Sequence, residues 1–212
     1  MKKLCLLAVA MLIVSTATFA DTIGGNAWDG NTTNTCDANT RGCGLRLGWT
    51  VYDNFNNSLH HNKLTGFTYV SQVVRGIESD YISTNWFLFG PDAGDPFGNP
   101  VASGTVQGSV TDLGNNYFEV VVTGLDVALI PHTDGWIIGF QNNMSDANDV
   151  TSRGEGVLSD GTYWQQDNDK RFQHLLSGDT AFTVFGTPEP STLLMLGTGL
   201  VSGLGMLRRK LV

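Results

Sequence analysis

Short apolar runs separated by turn-forming residues fill the middle of the chain. In the run 117–123, Phe118, Val120 and Val122 alternate with a second row that is also partly apolar, which is typical of a strand buried on both faces. In the run 136–141, Trp136, Ile138 and Phe140 form an apolar row on one face. No long segment has the periodicity of an amphipathic helix. The pattern predicts an all-β fold, an antiparallel β-sandwich or jelly roll, with an open barrel as the alternative.

Seven strands are predicted from these runs, at 45–52, 64–72, 81–89, 101–110, 117–123, 136–141 and 181–185. Clusters of Gly, Asn, Asp and Pro predict turns between them, at 53–57, 90–96, 114–116 and 132–135. The stretch 142–170 is polar and is predicted to consist mainly of loops. Loops on a rigid scaffold commonly carry binding residues.

The N-terminal 20 residues have the organisation of a secretory signal peptide. Two lysines precede an apolar region at 4–14, and Thr18 and Ala20 place small residues where signal peptidase requires them. We therefore expect signal peptidase to cut before Asp21 and the rest of the chain to be exported. The alternative is an uncleaved anchor, for which the apolar region is short.

The C-terminal segment has three parts. They are a proline motif (Pro188, Glu189, Pro190), an uncharged apolar segment (191–207) and a basic stop (Arg208, Arg209, Lys210). As a helix, the apolar segment would be about 25 Å long, enough to cross a locally thinned bilayer. Basic residues after it favour the cytoplasmic side, which leaves the domain at 21–187 outside. A permanent tail anchor is the simpler alternative.

This order of proline motif, apolar segment and basic stop resembles the PEP-CTERM sorting signal, a tail also known as the ice-binding protein C-terminal domain. The resemblance covers 188–212. It implies an inner-membrane-anchored precursor that an exosortase-type membrane enzyme processes, followed by release to the cell surface or the extracellular space. It further implies a Gram-negative bacterium that makes exopolysaccharide. The domain at 21–187 is more loosely similar to the β-sandwich domains of other PEP-CTERM proteins.

Charge excludes one class of partner. Residues 21–187 contain 7 Lys and Arg against 19 Asp and Glu, a formal net charge of −12. Binding to nucleic acid requires clustered basic residues that neutralise phosphates, so no nucleic-acid partner is expected. Such a surface suits a soluble extracellular domain and could attract cations.

Two small sites are predicted from spacing. Cys36 and Cys43 flank a short turn-rich segment and are predicted to form a disulfide in the oxidising compartment that export reaches. A metal site is the weaker reading of this pair. Four aspartates bunch in polar segments and are candidate calcium ligands, with Asx turns as the alternative: Asp146, Asp149, Asp167 and Asp169. No other cofactor is expected.

No catalytic residues are assigned, because the sequence contains neither a Gly-x-Ser-x-Gly elbow nor an HExxH motif. Tyr163 and Trp164 precede a polar run and are candidate glycan contacts through ring stacking. We expect a non-enzymatic surface or biofilm-matrix protein associated with exopolysaccharide. The alternatives are a carbohydrate-binding module and a small polysaccharide hydrolase, for which Glu119 is the candidate carboxylate.

Overall fold

The computed structural model describes residues 20–28, 30, 44–46, 49–57, 61–146, 150–154, 156–157, 161–167 and 173–188. Within these ranges the chain forms thirteen β-strands, and the single helical element is a 3₁₀ turn at Glu78–Asp80. The strands form two antiparallel sheets that pack face to face. The predicted all-β class is therefore confirmed.

The strands in chain order are β1 (Asp21–Asn26), β2 (Gly44–Arg46), β3 (Trp49–Asn57), β4 (His61–Arg75), β5 (Tyr81–Phe89), β6 (Ala102–Val106), β7 (Ser109–Gly114), β8 (Tyr117–Ala128), β9 (Thr133–Met144), β10 (Val150–Arg153), β11 (Thr162–Asp167), β12 (Gln173–Ser177) and β13 (Phe182–Pro188). The seven-stranded sheet has the order β1-β13-β4-β10-β2, with β8 paired to β4 and β7 paired to β8. The six-stranded sheet has the order β12-β11-β3-β9-β5-β6.

The core lies between the two sheets and follows the predicted alternation. In β8, Phe118, Val120 and Val122 are fully buried, and in β9 the row that begins at Trp136 is buried. Phe140 from the six-stranded sheet stacks on Tyr69 from the other sheet, with ring centroids 4.5 Å apart. The apolar rows of the sequence thus become the interface between the sheets.

A polar network crosses this apolar core. The hydroxyl of Tyr69 lies 2.7 Å from the Oγ1 of Thr84 and donates to the Oδ1 of Asn142. The Nδ2 of Asn142 donates to the Oγ of Ser71 and to the Oγ1 of Thr151, both at 3.0 Å. Burial raises the pKa of Tyr69 well above its usual value of 10.0. Because these residues come from both sheets, the network fixes how one sheet sits on the other.

Three predicted boundaries are wrong. The predicted strand 45–52 covers β2 and the start of β3, which lie in different sheets. The predicted strand 101–110 is two strands, β6 and β7, in different sheets. Gly108 lies at the crossing, where a Cβ would meet Val120 at 2.6 Å. The predicted turn 53–57 is the second half of β3. Its Asp53 is buried because the Thr180 N–H and the Asn26 side chain donate to its Oδ2, at 2.6 and 3.3 Å.

The predicted loop region 142–170 also contains strands, β10 and β11. Strand β11 is polar, but Gln165 and Gln166 are buried within the sheet. Strands β1 and β12 were not predicted either. Each of these four strands has six residues or fewer, namely β1, β10, β11 and β12. Such short runs carry little periodicity in the sequence.

In the part of the chain that the structure describes, no helix is long and apolar enough to cross a membrane. The predicted spanning segment at 191–207 and the basic stop at 208–210 lie outside the described residues. So do residues 1–19 of the predicted signal peptide.

Candidate functional site

The C-terminal proline motif begins inside the folded domain. Strand β13 lies between β1 and β4, and its last residue, Pro188, is in register with His61 of β4. Proline cannot donate a backbone hydrogen bond, which fits its place at the irregularity in register between Thr187 and Pro188. Glu189 and Pro190 lie outside the described residues.

Strand β13 is tightly packed up to this motif. Phe182 and Val184 are buried, with Val184 fully enclosed. A Cβ on Gly186 would lie 2.4 Å from the Cδ1 of Ile23 and 2.5 Å from the carbonyl oxygen of Lys63. Only glycine allows the neighbouring strands to approach this closely. The domain is therefore held together by the residues that immediately precede the motif.

Residues 187–210 match the family model described as the PEP-CTERM protein-sorting motif. The chain carries a PEP-CTERM motif. This confirms the resemblance found in the sequence and indicates a secreted protein that is targeted to an exosortase, with a membrane-anchored precursor. Comparisons with curated proteins and with solved structures find no significant match.

A second feature lies on the outer face of the six-stranded sheet. We call it the aromatic patch, and it consists of Tyr52, Phe87, Phe89, Ile137 and Trp164. The Tyr52 ring lies across Gly139, where a Cβ would come within 2.2 Å of its Cδ1. The ring of Phe87 is tilted against Tyr52, with centroids 6.2 Å apart. Aromatic rings thus gather on a face that points away from the main core.

The patch has a buried centre and a partly open rim. Tyr52 is 3% exposed, whereas Trp164 and Phe87 are half-buried. The neighbour of Trp164 in register is Leu175 of β12, which is 60% exposed. The hydroxyl of Tyr52 donates to the Oε1 of Gln166 at 3.0 Å. Burial raises the pKa of Tyr52 to about 12.

A row of polar side chains borders the patch. We call it the amide ladder, and it consists of Ser83, Asn85, Thr105, Gln141 and Asn143. The Nδ2 of Asn85 donates to the Oε1 of Gln141 at 2.9 Å and to the Oδ1 of Asn143 at 3.2 Å. Asn143 donates in turn to Ser83 at 2.9 Å and to Asn85 at 3.0 Å. Thr105 donates to the Oδ1 of Asn85 at 2.7 Å.

The ladder and the patch share strands. Asn85 is two residues from Phe87 in β5, and Gln141 is two residues from Gly139 in β9. Residues two apart in a strand point to the same face, so the amides and the rings form one continuous surface. Sequence reasoning missed this surface, although the alternation of Ser83, Asn85 and Phe87 with the buried row of β5 was visible.

The two predicted glycan contacts, Tyr163 and Trp164, lie on opposite faces of the six-stranded sheet. Tyr163 is 2% exposed and packs in the main core, with the guanidinium carbon of Arg153 4.0 Å from its ring centroid. Adjacent strand residues point to opposite faces. Trp164 therefore lies on the outer face, and it is the member of the predicted pair that solvent reaches.

Two of the four predicted calcium ligands lie within the described residues. Asp146 is exposed after β9 and Asp167 is half-buried at the end of β11, while Asp149 and Asp169 lie outside the described residues. Within the described ranges, no three His, Cys, Asp or Glu side chains form a group that could hold a metal ion. Calcium binding stays a prediction. Cys36 and Cys43 also lie outside the described residues.

Glu119, the candidate carboxylate of a hydrolase, lies in β8 and is half-buried. Its row is opposite to the core row of β8, so its side chain is on the outer face of the seven-stranded sheet. Its neighbours in register are Val70 and Thr111. A glycosidase places a second carboxyl group across a cleft from the first, and neither cross-strand neighbour supplies one.

Proposed function

We propose that this protein is a non-enzymatic component of an extracellular polysaccharide matrix and binds glycan through the outer face of its six-stranded sheet. The PEP-CTERM motif supports delivery to that location. The observation that carries glycan binding is the continuous surface formed by the aromatic patch and the amide ladder. These two features together support association with a biofilm matrix.

The two halves of this surface supply complementary interactions. The flat apolar face of a sugar ring stacks on an aromatic side chain, and the half-buried Trp164 and Phe87 offer such faces at the rim of the patch. Sugar hydroxyls both donate and accept. Both N–H groups of Asn85 and of Asn143 already donate within the ladder, so the ladder offers a sugar chiefly acceptor oxygens, such as the Oδ1 of Asn143, and the hydroxyl of Ser83. Asn85 and Asn143 hold each other in fixed orientations, so little conformational entropy is lost when a ligand binds.

Charge restricts the class of polysaccharide. The formal net charge of −12 over residues 21–187 repels a polyanion at the ionic strength of most media. The rim residues of the surface, Trp164, Phe87, Asn85 and Asn143, are all uncharged. We therefore propose a neutral polysaccharide as the ligand.

The test is binding of the mature protein to the exopolysaccharide of its host and to neutral and anionic polysaccharides. Trp164→Ala is expected to weaken binding about tenfold or more, which corresponds to about 1.4 kcal/mol. Trp28→Ala is the matched control, because Trp28 packs on Tyr117 on the other sheet, 5.4 Å between ring centroids. Melting temperatures of both variants identify any loss of folded protein. Unchanged binding by Trp164→Ala, or equal losses in both variants, would contradict glycan recognition by the patch.

Hydrolysis of polysaccharide is the competing function, and the same preparations test it. We expect the mature protein to release no reducing sugar from the host exopolysaccharide. Release of sugar that Glu119→Gln abolishes would overturn the non-enzymatic proposal and assign the activity to the outer face of the seven-stranded sheet.

A further inference from the structure

Both ends of the folded domain leave it at the same place. Asp21, the first residue of β1, is in register with Gly186 of β13. Paired strands are about 4.8 Å apart, so the chain enters and leaves the sandwich through adjacent positions. The predicted signal peptide ends directly before Asp21, and the sorting motif begins at Thr187.

The connection between β8 and β9, residues 129–132, is fixed beside these chain ends. The backbone N–H of Leu129 donates to the carbonyl oxygen of Asn62 at 2.8 Å. The Nδ2 of Asn57 donates to the carbonyl oxygens of His61 and Ile130, at 2.8 and 3.0 Å. Since His61 is the register partner of Pro188, the Ile130 backbone is held next to the exit of the chain. We call this part of the sandwich the exit end, formed by Asp21, His61, residues 129–132 and Pro188.

The tether between the exit end and the apolar segment is short. Pro188 and Ser191 are three residues apart, a span of at most about 11 Å. The headgroup layer on one side of a bilayer is about 5–7 Å thick. If the apolar segment spans the membrane from Ser191, the tether places the exit end at the headgroup layer.

The length of the sandwich prevents the opposite arrangement. Strand β4 has 15 residues and runs from the exit end to the far end, a distance of about 45 Å. A tether of about 11 Å cannot bring the far end to the bilayer while the chain leaves at the exit end. Two isoleucines mark the two ends, Ile130 at the exit end and Ile77 in the connection after β4, and each is 57% exposed.

We propose that the exit end is the membrane-facing surface of the anchored precursor and that Ile130 contacts the lipid headgroup layer there. The inference rests on the membrane-anchored precursor and is independent of glycan binding. It also places the aromatic patch on a side face of the sandwich, since the strands run from the exit end to the far end. Glycan could therefore reach the patch before the precursor is released.

The test uses the full-length precursor from a host without exosortase, reconstituted in phosphatidylcholine and phosphatidylglycerol vesicles that contain a headgroup-nitroxide lipid. Ile130→Cys and Ile77→Cys are each labelled with the same thiol-reactive fluorophore. Labelling of the unsubstituted protein gives the background from its own cysteines. The two sites match in residue type and exposure and differ in the end of the sandwich that they mark.

We expect the label at position 130 to lose most of its fluorescence to the nitroxide and the label at position 77 to keep most of it. Equal quenching at both positions, or stronger quenching at 77, in protein that floats with the vesicles would overturn the orientation alone. Failure of the protein to float with the vesicles would overturn the anchored precursor and this inference with it. Neither of these results would affect glycan binding by the released domain.

Discussion

Two adjacent asparagines in β9 have similar hydrogen bonding and opposite environments. Asn142 points into the core, is almost fully buried and joins Tyr69, Ser71 and Thr151. Asn143 is half-buried, belongs to the amide ladder and makes three side-chain hydrogen bonds with its neighbours there. The same substitution at these two positions should therefore separate stability from binding.

We predict that Asn142→Ala lowers the free energy of unfolding by about 2–4 kcal/mol. Three hydrogen bonds contribute about 0.5–1.5 kcal/mol each, and their removal leaves partners buried without that interaction. Asn143→Ala should cost less than about 1 kcal/mol, because water replaces the lost partners at a partly open site. The two variants should differ in free energy of unfolding because of burial alone, since the same side chain is removed in both.

Urea unfolding of the mature domain, followed by tryptophan fluorescence, measures both variants. The slope of the free energy against urea concentration should not change, which confirms that the two variants expose the same surface on unfolding. At temperatures where both are folded, Asn142→Ala should bind polysaccharide normally and Asn143→Ala should bind more weakly. Equal losses of stability, or normal binding by Asn143→Ala, would refute the division between an inner network and an outer binding face.

Three further predictions concern the patch and the C-terminal strand. Because burial raises the pKa of Tyr52 to about 12 from 10.0, the folded state keeps a proton that the unfolded state loses above pH 10. Tyr52 should therefore leave stability unaffected below pH 10 and lower it by about 1.4 kcal/mol per pH unit between 10 and 12, in addition to the loss from Tyr69, whose pKa burial also raises. Thermal unfolding against pH measures the total slope, and Tyr52→Phe should reduce it by the share of Tyr52. Gly139→Ala should cost about 1–3 kcal/mol and weaken glycan binding, since its Cβ would meet the Tyr52 ring at 2.2 Å, whereas Gly98→Ala, with open space around it, should do neither. A chain ending after Pro188 should unfold cooperatively. A chain ending after Thr180 lacks β13, the strand between β1 and β4, and should show no folded baseline in circular dichroism. A folded chain ending after Thr180 would contradict the conclusion that β13 is needed for folding.

The sorting motif and the fold class could be predicted from the sequence because local chemistry determines both. The sorting motif depends on residue order alone, with prolines, an uncharged run and basic residues in succession. The alternation in β8 and β9 was strong enough to predict which rows are buried. Strand β5 was predicted with its observed boundaries, Tyr81–Phe89, since β-branched and aromatic residues fill it and a proline follows soon after.

The candidate binding face could not be predicted in the same way. Tyr163 and Trp164 are equally aromatic and adjacent in sequence, and only the pairing of β11 with β3 decides which one points outward. The polar run 53–57 looks like a turn by composition. It is a strand because it pairs with β9, and its buried Asp53 finds donors from Thr180 and Asn26. All of these partners are far away along the chain.

The sequence by itself determined that this protein is made for export, that an exosortase motif follows its domain and that the domain is built from strands. The tertiary structure decided which polar and aromatic residues meet on the outer face, and that both ends of the domain leave it side by side. The reason is physical: export signals and strand patterns are read along the chain, whereas strand order and register join residues that are distant in sequence. Asp21 and Gly186 become neighbours only when the last strand of the domain pairs with the first.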